Sequence, residues 1–149
     1  MAGVATSFES QFCGGTVIAA QWVLTAAHCM YKDQFMTELW TAGELKIILG
    51  EHDIASQNEE KLPRKAVEVS TIINHPNFPQ NSDITLLKLS EEVDLTIYTP
   101  ACLPNNDDNF EGKNAWIYGR DNPVLSCAKI THFQLATPLC LFYQCGAEK

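Results

Sequence analysis

FCGGTVIAAQWVLTAAHC, residues 12–29, is the stretch on which the fold turns. Residues 12–18 and 22–25 are apolar and rich in β-branched side chains, and Ala19-Ala20-Gln21 separates them, which is the pattern of a β-hairpin. Residues 26–30 read as a single helical turn at its end. Cys13 and Cys29 fall one in each arm, so a bridge between them is sterically open. Closing a loop of that size stabilises a chain by roughly 3 kcal/mol in the chain-entropy account. It would also hold the backbone beside His28, an imidazole able to take and return a proton near neutrality. Taken alone, a His-Cys pair reads first as a structural histidine beside a structural cysteine.

Outward from this hairpin the chain continues as short strand candidates with turns between them. LKIIL at 45–49 is one. At 65–73 the residues alternate, with Val67, Val69, Thr71 and Ile73 assigned to one face and Ala66, Glu68 and Ser70 to the other. Residues 84–89 and 115–118 complete the set, and the Pro- and Asn-rich pieces between them are turns. The pattern predicts an all-β barrel or sandwich. Beyond Gly119 the alternation is lost, and residues 120–149 are assigned to no element.

The run CGG…WVL…TAAHC is similar to the histidine motif of the trypsin-like serine peptidases. The segment NSDITLLKL resembles the same family's aspartate motif, and LGEHDI, NHPNF, PACLP and GKNAWIYG follow in the family's order. The resemblance covers about three quarters of the chain, residues 10–119. It implies one antiparallel six-stranded barrel, the first of the family's two. It makes residues 1–119 a partial peptidase domain and 120–149 a divergent cysteine-containing tail. It further implies that His28 is the general base, that Cys13–Cys29 is a disulfide, and that Asp83 is the carboxylate orienting the histidine. Without it, Asp83 is simply a turn residue at a strand entrance. Protein or peptide substrates and an extracellular location follow from the same resemblance. Cys102 would be the cysteine that bridges to a pro-segment or to the second barrel, with no family-positioned partner in this chain. Cys102, Cys127, Cys140 and Cys145 allow three pairings, and the sequence does not choose among them.

Glu51, Asp53, Glu59 and Glu60 cluster where the family often has a calcium loop, since hard cations favour several oxygen ligands. Lys61 falls near the position of a second ligating glutamate, so a solvated acidic loop is the first reading and a calcium site the alternative. No other cofactor is implied.

The family's Gly-Asp-Ser-Gly-Gly motif appears nowhere in the chain, nor does an Ile-Val-Gly-Gly start. Ser7, Ser10, Ser56, Ser70, Ser82, Ser90 and Ser126 lack the glycine neighbours that free backbone N–H groups for an oxyanion hole. The chain is therefore expected to be inactive as a peptidase on its own, with a non-catalytic half-barrel binding module as the alternative. The abrupt break at Gly119-Arg120 predicts an altered reading or splice choice. A lone barrel would expose the face that meets its neighbour, and such apolar patches favour self-association.

The bulk properties agree with a globular protein: 46% of the 149 residues are hydrophobic and 19% charged. A net charge of -8 argues against nucleic acid, which requires a basic face. No apolar run approaches membrane-spanning length, and the N-terminus lacks the basic start and apolar core of a signal peptide. The 6 cysteines point instead to an oxidising compartment.

Overall fold

The computed structural model describes residues 2–8, 10–50, 63–105, 111, 115–121 and 124–130, the last two segments by their backbone alone. In chain order the strands are β1 (Ala2–Thr6), β2 (Gln11–Ala19), β3 (Trp22–Thr25), β4 (Leu45–Leu49), β5 (Lys65–Asn74), β6 (Thr85–Leu89), β7 (Ala115–Asp121) and β8 (Val124–Ile130). The first six close into one antiparallel barrel in the order β1-β2-β3-β6-β5-β4. Two 3₁₀ turns, Ala27–Met30 and Ala42–Glu44, complete the described elements. The all-β barrel and the turn after β3 are as the sequence predicts.

The hairpin pairs β-branched Val17 with Val23 and sets Thr16 opposite Leu24. Gly15 lets the two strands close tightly. A Cβ at that position would stand 2.8 Å from Val23 Cγ1 and 3.3 Å from the Leu24 carbonyl oxygen. Val4, Val17, Val23, Ile47, Val67, Leu87 and Leu89 fill the interior, and Met30 is buried in the same cluster. This inward-facing set recurs every second residue along each strand, as pleating requires.

Three differences from the sequence reading have physical causes. The sixth barrel strand is β1, which lies between β2 and β4 and pairs with both. Ala-Gly-Val-Ala-Thr carries little β-branched or alternating signal, and four of its five residues are buried. Residues 115–118, grouped with the barrel candidates, belong instead to β7, which pairs with β8 in a separate two-stranded sheet. Among the described residues beyond Gly119, Val124–Ile130 is thus a regular strand.

The third difference lies in β5. A register shift between Val69 and Thr71 breaks the strict alternation read there. Val67 and Val69 are buried as expected, but Thr71 and Ile73 turn outward, while Ile72 packs against the core. A bulge inserts one residue and reverses which face the following side chains occupy. Cys102 is disulfide-bonded. The side chains of Cys127, Cys140 and Cys145 lie outside the described ones.

Candidate active site

Ala27–Met30 leaves the end of β3 as a single 3₁₀ turn. With about three residues per turn, Ala27 and Met30 fall on one side, and both are fully buried against the barrel. Cys29 is buried too and is disulfide-bonded to Cys13 of β2, with Cα atoms 6.2 Å apart. Of the four residues only His28 is left to face outward, with its side chain 61% exposed.

Asp83 stands just before β6, far from His28 in the chain and adjacent in space. Its Oδ2 accepts a hydrogen bond from His28 Nδ1 at 2.6 Å, and its Oδ1 accepts one from the His28 backbone N–H at 2.8 Å. A carboxylate can only accept, so the ring proton belongs on Nδ1 and Nε2 keeps its lone pair. Partial burial pushes the Asp83 carboxyl up. The hydrogen bonds from the His28 ring and backbone, electrostatic attraction to the imidazole and the Ala27 N–H outweigh this, and the carboxyl is held below its ordinary range. A tilted contact between Tyr31 and Phe78, ring centroids 5.9 Å apart, ties the end of the histidine turn to the loop that carries Asp83.

His28 Nε2 lies 3.6 Å from Cys29 Sγ. Cys13, His28 and Cys29 place possible ligand atoms within 4.8 Å of one another. The two sulfurs are joined to each other, however, and a disulfide offers no thiolate to a metal. Ser70 and Ser82 spend their side-chain hydrogen bonds elsewhere, on the Lys88 and Leu89 carbonyls and on Asn81 Oδ1. Glu51, Asp53, Glu59 and Glu60, the candidate calcium ligands, lie outside the described residues. Among the described residues no helix is long and apolar enough to cross a membrane.

Beside the histidine, residues 31–44 form a tightly fastened loop that the sequence reading did not single out. Tyr31 bridges Leu39, and the Trp40 N–H donates to the Met30 carbonyl. Lys32 Nζ donates to Glu38 Oε1 and to Glu44 Oε1, both at 2.8 Å, and lies 5.0 Å from the centre of the Trp40 ring. Asp33 accepts from the N–H groups of Phe35, Thr37 and Glu38 and from the Thr37 hydroxyl. Asp33, whose carboxylate takes the N–H two residues on, was the turn signal the sequence offered for it.

In that loop the Lys32 ammonium and the Thr41 N–H and hydroxyl hold the Glu44 carboxyl down to about 2. The folded value lies below the unfolded one, so the contribution of Glu44 to stability is complete above its ordinary carboxylate range. It disappears as pH falls through about 2. Glu44→Gln is expected to lower the unfolding midpoint at neutral pH and to converge with the parent protein at about pH 2. Thermal scans across that range test this. A difference that persists unchanged to low pH would remove Glu44 from the acid dependence.

A sequence model of the Trypsin family matches residues 1–138. Mouse (Mus musculus) ovochymase-2 is 39% identical over 107 residues, covering 68% of this chain and 16% of that protein. A venom serine protease of Polistes dominula is 32% identical over 97 residues, covering 64% of this chain and 33% of that protein. The chain therefore spans a third or less of the length of these relatives. With the closed barrel, the histidine turn and the match over most of its length, the chain belongs to the trypsin family of serine peptidases.

Proposed function

We propose that this chain supplies the general base and the orienting acid of a serine-type endopeptidase acting on protein or peptide substrates. The hydrogen-bonded His28–Asp83 pair carries this reading. In this role Nε2 takes the proton of an attacking hydroxyl and later returns it to the leaving amine, while Asp83 stabilises the imidazolium. The nucleophile and oxyanion hole come from sequence that residues 1–149 do not contain. Removing one triad member leaves only about 10³–10⁴-fold catalysis, supplied by the oxyanion hole and substrate binding. Residues 1–149 alone therefore have no useful peptidase rate. The Cys13–Cys29 disulfide and a relative named for venom support an extracellular setting.

A serine-directed fluorophosphonate tests the reading. Purified 1–149 is expected to remain unlabelled, and a longer product of the same gene containing a nucleophilic serine to label. Strong labelling of 1–149 would refute its inactivity. A longer product whose reactivity survives His28→Ala would refute the base assignment. A second reading is a non-catalytic module that associates through exposed apolar side chains such as Phe8 and Phe35. A concentration-independent monomer in light scattering of the same preparation counts against it.

A further inference from the structure

Among the described residues only two polar side chains are buried, Thr25 at 1% exposure and Thr85 at 0%. The other buried residues are mostly aliphatic, and valine would occupy the same volume without a hydroxyl to satisfy. Their placement is not scattered. Thr25 and Thr85 are opposite one another in the β3–β6 ladder, and Thr85 is also opposite Asn74 in the β5–β6 ladder. The Thr85 hydroxyl donates to Asn74 Oδ1, and the Thr25 hydroxyl donates to the Gly14 carbonyl of β2 at 2.8 Å. A polar row thus crosses four adjacent strands at one end of the barrel.

This row lies at the roots of the functional pair. His28 follows Thr25 by three residues, and Asp83 precedes Thr85 by two. The Asn74–Thr85 bond and the His75 N–H to Ile84 carbonyl bond, 2.9 Å, close the base of the loop carrying Asp83. On the other side, Thr25 binds the backbone next to Cys13, whose disulfide holds the residue after His28. The bulge in β5 is part of the same device. With the strict alternation of Val67 and Val69 continued, Asn74 would fall on the outer face, away from Thr85.

We infer that Thr25, Thr85 and Asn74 are positioning residues for the His28–Asp83 pair, acting through the strand ends from which the two side chains emerge. This rests on the base-and-orienter reading, but its test reads the geometry of the pair rather than catalysis. In isotope-labelled 1–149, two-bond ¹H–¹⁵N correlations from the carbon-bound ring protons of His28 report its tautomer. The side-chain ¹³C signal of Asp83 reports the titration of its carboxyl.

The parent chain is expected to hold the Nδ1–H tautomer. Thr85→Val and Asn74→Ala are expected to lose it to a mixture with the Nε2–H form and to move the Asp83 titration upward. Thr85→Ser, which keeps the hydroxyl, is expected to match the parent. Asn74 lies at a strand end and is only partly buried, so Asn74→Ala decides the matter if Thr85→Val does not fold. Folded variants with the parent's tautomer and Asp83 titration would overturn the inference. So would a parent chain in the Nε2–H form, because there would be no pair to position. A longer product with no reactive serine would refute the catalytic reading and leave these spectra unchanged, which separates the two failures.

Discussion

Asp83→Asn is expected to leave the barrel folded and to reduce kcat about 10⁴-fold in a longer, nucleophile-bearing product, the loss known for the corresponding change in the family's triad. The geometry of this chain says why so small a change costs so much. Oδ2 accepts from the ring and Oδ1 from the backbone N–H of the same residue, so one carboxylate sets both the tautomer and the orientation of His28. An amide in its place can turn its NH₂ toward Nδ1, which then accepts, and the proton moves to Nε2. In the proposed role, His28 is then blocked at the atom that would receive the nucleophile's proton. With the side chain of Asp83 already 37% exposed, the substitution removes little packing, so stability is expected to change far less than rate. Steady-state kinetics alongside a thermal scan separate the two. A variant that loses stability and activity in proportion would assign Asp83 a structural role.

Replacing Cys13 and Cys29 together by alanine is expected to have the largest effect on stability. The bridge spans a sequence separation of 16, for which the chain-entropy account gives about 3 kcal/mol. For a domain of this size that corresponds to a fall in Tm on the order of 10 °C. Substitution is preferable to a reductant, because Cys102 is also disulfide-bonded and would be attacked as well. The turn that carries His28 should survive, since Ala27 and Met30 remain buried and Trp40 still donates to the Met30 carbonyl. Equilibrium unfolding in denaturant measures the effect. An unchanged midpoint would mean that the barrel already restrains the segment between the two cysteines without their bridge.

The parts of the fold legible in the sequence are those with strong local signals. Residues 12–18, 22–25 and 45–49 are dense in β-branched and aliphatic side chains, and each became a strand. His28, Asp83 and the two cysteines stood out in the sequence because the motifs that hold them follow one another in the order found in the family, an order set by its fold and not by the chemistry. Lys32, Glu44, Thr25, Thr85 and Asn74 were not, because an isolated threonine or lysine carries no mark of its partner.

By itself the sequence determined which groups the chain can bring to chemistry: an imidazole, a carboxylate and a pair of cysteines in a β-rich chain. Only the tertiary structure decided that Ala2–Thr6 closes the barrel, that Asn74 turns inward, and that two buried hydroxyls stand beneath the functional pair. The physical reason is the range of the interactions. Strand propensity and turn chemistry act over a few neighbouring residues, so they can be read locally. Closure, register and the burial of a hydroxyl depend on which distant strand supplies the next hydrogen bond, and that partner exists only once the barrel has formed.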